Sequence, residues 1–304
     1  MDSIKDKVYK IESICATDVG RNINELASFV EGDLFLAAES VVNHLNPKVV
    51  IVTGFFIHQA NPPAPETDGI PGAVVLAKAL DQLGIAVELI TDEWCIHALR
   101  YAVSQIGYFN QIRISSISSI SGHSPLEKLC KQQEKQLLTH IIYIERAGPG
   151  RDGNCFNMSG QNIDKWTAPL HELLIKKRSL ISIAVGDGGN EIGMGKIPSN
   201  VIKDNILKGS QIGCVVPCDF LLVAGVSNWG VTALLLSMAL VKPEWKKKIR
   251  TVLKSDFEYK ILRKMTRRKL LVDGVTKRFK PTVDGLKWCF HQKIYQKMIQ
   301  TAKL

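Results

Sequence analysis

The stretch AVGDGGNEIGMGK, Ala184 to Lys196, sets five glycines around an aspartate, an asparagine and a glutamate. Glycine-rich turns after strands often cradle phosphate, but the two standard templates fail here. A dinucleotide motif spaced G-x-G-x-x-G from Gly186 would need its third glycine where Glu191 stands. A P-loop ending on Gly195–Lys196 would need glycine at Asn190 and a hydroxyl residue at Ile197. Asp187 and Glu191 point instead toward an ammonium group or a divalent cation, because carboxylates repel phosphate unless a cation lies between them.

The same kind of turn recurs after other strand-like runs. Glu66, Thr67 and Asp68 follow one, Asp92 ends another, and Glu145–Arg146 opens ERAGPGRDGNCFNMSG, which also carries Arg151 and Asp152. Asn228 opens a further helix in GVSNWG. In open α/β sheets ligands bind outside the carboxyl ends of the strands, so these turns should converge. Each also has a plainer reading: Asp68, Asp92 and Asn228 are good helix caps, Glu66 fits a solvated loop, and Asp187 fits a tight glycine turn. The recurrence favours a site. Its carboxylates would take an ammonium, a hydrated Mg or Mn, or serve as acid and base, while Arg146, Arg151 and Lys196 would clamp carboxylates. Mixed signs of this kind suit a zwitterionic ligand such as an amino acid.

Other chemistries are excluded. HELLI at His171 breaks the H-E-x-x-H zinc pattern at its last position, and no G-x-S-x-G elbow occurs. The seven cysteines are scattered singly, and Cys214 and Cys218 lack a second pair to complete a zinc site. That usage implies a reducing intracellular compartment rather than a disulfide framework.

These turns need a scaffold. Val49–Gly54, Ala86–Asp92, His140–Arg146, Leu180–Gly188 and Phe220–Asn228 are near-continuous apolar runs that suit parallel strands covered on both faces. Helical spacing separates them, in residues 71–84, 92–107, 124–138 and 168–179, and an earlier helical segment spans Ile23 to Leu45. The alternation predicts an α/β fold: an open, doubly wound, mostly parallel sheet with helices on both faces. A single domain over residues 1–304 is expected, with the sheet core in 14–241 and a basic, mainly helical appendage in 242–304.

The charge of +10 is uneven: Lys242 to Lys280 holds fifteen Lys or Arg against four Asp or Glu, a net of +11, leaving about −1 elsewhere. The segment reads as an amphipathic helical pair with a cationic outer face. A solvated face is the simplest account. A nucleic-acid partner is disfavoured because no binding motif accompanies the charge, although a ligand-sensing or nucleic-acid-associated module using the 242–280 face stands as a non-enzymatic alternative. The apolar run Val231 to Leu240 is too short for a membrane span. Nothing in the sequence decides whether the chain forms a homo-oligomer.

Four long motifs taken in order, TGFFIHQANPPAPETDGIPGA, IERAGPGRDGNCFNMSG, AVGDGGNEIGMG and VAGVSNWG, resemble the D-glutamate cyclase family from about Ile14 to Leu286. The resemblance implies a lyase that converts D-glutamate to 5-oxo-D-proline and water, in the mitochondrial matrix. The vertebrate family member has a further N-terminal domain, so the chain is expected to be a fragment or a shorter relative. The implied chemistry requires no cofactor, though a divalent cation, Mg or Mn, has candidate ligands in Asp68, Asp187 and Glu191. Asp187 and Glu191 are the first candidates for base and acid, and Glu66 and Asp68 are the second pair. Arg146 or Arg151 would clamp a substrate carboxylate, with Asp92, Gly188, Gly189, Asn190 and Asn228 completing the substrate contacts. The competing enzymatic reading is a divalent-metal-dependent enzyme acting on a small phosphorylated metabolite.

Overall fold

The computed structural model describes residues 2–105, 107, 112–119, 127, 131, 137–176, 180–253 and 256–304. Six strands form the main sheet: β1 (Lys48–Thr53), β2 (Ala86–Asp92), β3 (Ile112–Ile117), β4 (His140–Ile144), β5 (Ile181–Gly186) and β6 (Phe220–Val223). They lie in the order β3-β2-β1-β4-β5-β6, and every neighbouring pair is parallel. The winding reverses between β1 and β4, where adjacent loops leave in opposite directions and open a crevice. The predicted doubly wound α/β class is the observed one.

Strand alternation sorts the two cores. Val49 and Ile51 face the larger layer, while Val50 and Val52 face the smaller one. The larger layer is built from α1 (Ile4–Cys15), α2 (Asp33–Asn43), α3 (Ile70–Leu83), α4 (Ile96–Ser104), α5 (Ser227–Val241), α6 (Lys246–Leu253), α7 (Phe257–Arg267) and α8 (Trp288–Ala302). Short helices at Asn24–Phe29, Glu172–Lys176, Ser199–Asn205 and Gly209–Ile212 contribute to the smaller one. Every residue of α5 from Ser227 to Leu240 is buried, as expected of a helix that is apolar on all sides and not merely along one stripe. No helix among the described residues is long and apolar enough to cross a membrane.

The differences from the sequence reading have local causes. Strand β3, IRISSI, was not anticipated because it is a half-exposed edge strand whose serines interrupt the apolar run. The segment from Ile23 to Leu45 is two helices, divided where Gly32 turns left-handed at φ 97°. The run Phe220–Asn228 is strand only to Val223, and α5 has begun by Ser227. The helix expected in 124–138 lies largely outside the described residues, as do 177–179 at the end of the 168–179 segment. The basic amphipathic pair is present as α6 and α7, with Ile249, Val252, Ile261, Leu262 and Met265 turned inward.

Between α7 and α8 the Tyr295 hydroxyl lies 2.7 Å from a carboxyl oxygen of buried Glu258. Burial, with a smaller push from Asp68, outweighs that hydrogen bond and lifts the Glu258 carboxyl to about 8 from its ordinary 4.5. Below pH 4.5 the group is protonated folded or unfolded. Between 4.5 and 8 only the folded state keeps the proton, so Glu258 lowers stability as pH rises. Glu258→Gln does not titrate. The difference in melting temperature, variant minus parent, is expected to grow in the variant's favour from pH 5 to 8 and then level off, as read by a thermal melt series.

Candidate active site

The carboxyl end of the sheet gathers six carboxyl groups around the β1–β4 crevice. Asp68, Asp187 and Asp284 offer oxygens within 4.8 Å of one another, and so do Glu145, Asp187 and Glu191. Glu66 adjoins Asp68 and Asp284, whose charges raise its proton affinity, and Asp284 does the same to Asp68. Above them opens a pocket of about 280 Å³ whose lining includes Arg21, Glu66, Glu145, Asn190, Lys277 and Asp284.

The first wall is an exchange of helix caps. Asp68 accepts hydrogen bonds from the backbone N–H of Ser227 (2.7 Å) and Asn228 (2.9 Å), at the start of α5. Asn228 returns the favour, its Oδ1 accepting from the N–H of Gly69 (3.1 Å) and Gly72 (2.9 Å) at the start of α3. Each residue therefore satisfies orphan donors on the other's helix. Glycine is required at both contacts. Gly69 has φ 87°, and a Cβ there would stand 2.7 Å from the Glu145 Cβ, while one on Gly72 would stand 2.5 Å from Asn228 Oδ1.

Glu145 follows β4 directly and is itself left-handed, at φ 46°, an uncommon conformation for a non-glycine residue. It accepts a 2.6 Å hydrogen bond from the Ser227 hydroxyl. The glycine turn after β5 forms the next wall. Glu191 Oε1 accepts from the N–H of Asp187 (3.1 Å) and Gly188 (2.7 Å), leaving Oε2 without a partner. Asp187 Oδ1 pairs with Arg21 and its Oδ2 is also free. Asn190 spends its amide on the Phe156 carbonyl (2.8 Å) yet lines the pocket. Gly189 is left-handed at φ 89° and its carbonyl accepts from Cys214 N–H.

The basic C-terminal segment supplies the last wall. Val272 and Glu66 form an isolated parallel bridge, and Asp273 organises the following loop by accepting from Val275, Thr276 and Gly285 N–H and from the Thr282 hydroxyl. At the tip, Asp284–Gly285 joins Thr282–Val283 to Leu286–Lys287 as a hairpin with both turn residues left-handed. Asp284 thereby reaches Arg21, 2.8 Å away.

Electrostatics follow from this crowding. Burial first, then neighbouring carboxylates, pushes Glu66 and Glu145 well up from their ordinary range. Burial also drives Asp187 well up against the pull of Arg21. Asp68 rises to about 7 because burial and Asp284 outweigh the N–H groups of Asn228 and Ser227. Near neutral pH the cluster therefore holds protons, since one guanidinium cannot balance six carboxylates in a buried setting. Asp187 and Glu191 each have one anchored and one free oxygen, which is the arrangement a positioned acid or base requires.

The candidate residues divide clearly. Glu66, Asp68, Asp187, Glu191, Gly188, Asn190 and Asn228 come together here. Arg146 and Asp92 pair with each other instead, at 2.5 Å and fully buried. Arg146 also donates to the carbonyls of Gly54 and Ala168, both at 2.8 Å, and Asp92 accepts from Cys95 N–H ahead of α4. Arg151 is exposed and bonds Ser199 Oγ beside a different, basic cavity, and Lys196 is held by Asp33. Sequence reasoning missed Arg21, Lys277 and Asp284. The DG hairpin signal at Asp284 was present, but nothing in the sequence tied it to the sheet.

Comparison with known proteins gives two matches. The family model for the C-terminal region of D-glutamate cyclase-like proteins matches residues 11–299. The human protein named D-glutamate cyclase, mitochondrial, is 36% identical over 249 residues, which is 79% of this chain. The chain spans 40% of that relative's length.

The role of Arg146 is open to direct test. As a buried counter-ion its replacement in Arg146→Met strands Asp92, at a cost of about 3–5 kcal/mol. Urea unfolding should show that loss. A stability equal to the parent's, together with a raised KM, would identify Arg146 as a substrate clamp instead.

Proposed function

The chain belongs to the D-glutamate cyclase-like family, and from that premise we propose that it closes D-glutamate to 5-oxo-D-proline with release of water. The observation that carries this reading is a small pocket, lined by Arg21, Glu66, Glu145, Lys277 and Asp284, over a cluster of buried carboxyl groups in which Asp187 and Glu191 each keep one oxygen without a partner.

Cyclisation needs a base for the α-ammonium proton, an acid for the departing oxygen, and a clamp for the α-carboxylate. Glu191 is assigned as base: two N–H groups hold its Oε1, and its free Oε2 accepts the ammonium proton. The freed amine attacks the γ-carboxyl carbon, forming the C–N bond. Asp187, pushed up by burial, is assigned as the acid that protonates a γ-carboxyl oxygen during the attack. It then takes the second proton from the ring nitrogen while Glu191 passes its proton to the same oxygen, which leaves as water as the C–O bond breaks, so both carboxyl groups end as they began. Arg21 and Lys277 replace Arg146 and Arg151 as candidates for the carboxylate clamp, since they line the pocket. A pocket of about 280 Å³ suits a folded five-carbon amino acid, and holding that rotamer supplies much of the acceleration in an intramolecular closure. The human relative's name includes the word mitochondrial, which supports the mitochondrial matrix as this chain's compartment.

A second reading of the same reaction is favoured by the two overlapping carboxyl triads, which are all-oxygen donor sets of the kind Mg or Mn takes. Bound there, such an ion would polarise the γ-carboxyl group in place of the acid.

Purified protein incubated with D- or L-glutamate and followed by mass spectrometry should lose one water from the D-isomer alone. Turnover of neither isomer would sink the proposal. Asp187→Asn and Glu191→Gln, each folded by circular dichroism, should each lose at least about a hundredfold in kcat. Exhaustive treatment with EDTA separates the two versions: the proton reading expects an unchanged rate, and the cation reading expects loss with recovery on adding Mg or Mn.

A further inference from the structure

A second cavity, of about 480 Å³, opens at the surface of the helical layer and shares no lining residue with the carboxyl pocket. It sits between α3, α5, α6, α7 and α8, with Val75 and Thr232 on one side and the α7–α8 aromatic residues on the other. The proposed cyclisation leaves it without a role.

Its lining runs against its surroundings. The segment from Lys242 to Lys280 has fifteen basic residues and four acidic ones. Two of those four acids, Asp256 and Glu258, line this cavity, while its described lining contains no Lys, Arg or His. Three aromatic side chains, Phe257, Trp288 and Tyr295, complete the walls. Trp288 stacks on Tyr259 at 4.9 Å and approaches Tyr295 at 5.8 Å between ring centres, so its indole is fixed in place. Its Nε1–H is buried and has no acceptor. A buried donor left unmatched is costly, which makes it a mark of a missing partner.

We propose that this cavity binds a small organic cation, its ammonium group seated on Glu258 among Phe257, Trp288 and Tyr295, with an accepting substituent on Trp288 Nε1. Aromatic faces attract such cations through their quadrupoles. Carboxylate and rings together select against neutral and anionic molecules of the same shape. In the free protein burial keeps the Glu258 carboxyl protonated at neutral pH. Arrival of the cation favours the carboxylate, so one proton leaves Glu258 for solvent as the ion pair forms. Tyr295 can donate to that carboxylate, and Asp256 adds a further negative charge at the cavity's edge.

The test is isothermal titration calorimetry at pH 7 with choline, tetramethylammonium and butylammonium, in two buffers of different ionisation enthalpy. The neutral isostere of choline, 3,3-dimethyl-1-butanol, is the control. Saturable binding of at least one cation is expected, with proton release and with the isostere at least about tenfold weaker. Glu258→Gln and Trp288→Leu, folded by circular dichroism, should each weaken it at least about tenfold. The proposal is overturned by no saturable binding of any cation up to about 10 mM, by equal binding of the isostere, or by unchanged binding in Glu258→Gln. None of these outcomes depends on whether the chain turns over D-glutamate.

Discussion

The exchange of caps between Asp68 and Asn228 is the contact on which the site depends. Two helices, α3 and α5, begin side by side at the place where the sheet reverses its winding. Their first N–H groups are buried, so each needs an acceptor. Asp68 serves α5 and Asn228 serves α3, although 160 residues separate the two positions. Both helix N-termini thereby present positive potential to one volume, which is where carboxylates are least costly to gather. The close approach of Gly69 and Gly72 lets the two helix starts meet without a Cβ between them.

Charge imbalance follows from that gathering. Three loops and the C-terminal strap deliver six carboxyl groups, and partly buried Arg21 is the guanidinium set between them among the described residues. It bridges Asp187 on the turn after β5 to Asp284 on the strap. The remaining negative charge is relieved by protons, as the upward shifts of Glu66, Asp68, Glu145 and Asp187 show. A site in this state offers acids and bases in neighbouring positions without a titrating histidine. An incoming ammonium group would offset part of the repulsion that burial created. Buried Glu258 shows the same physics on a smaller scale, where a lone carboxyl keeps its proton for want of a cation.

Much of this was legible in the sequence because it rested on short-range pattern. Continuous apolar runs marked five of the six sheet strands, and carboxylates after them marked most of the site. The plain reading of Asp68 and Asn228 as caps of their own helices did not hold, because each side chain serves the other's helix, which no local pattern could show. Arg146 illustrates the opposite failure. Its position after a strand resembled a ligand contact, while its partners Asp92, Gly54 and Ala168 come from the end of β2 and from two loops. Asp284 and Lys277 lay in a segment whose positive charge drew attention to its outer face. Their place in the pocket depends on a bridge between Val272 and Glu66, a pairing across more than two hundred residues that periodicity cannot reveal.

A crystal structure of the protein soaked with D-glutamate or 5-oxo-D-proline tests the central claim most directly. The account predicts ligand density in the pocket beneath Lys277, with its nitrogen in hydrogen-bond reach of Asp187 Oδ2 or Glu191 Oε2 and its carboxylate on Arg21. Density beside Arg151 and Lys196 instead, with the carboxyl cluster unchanged, would contradict it.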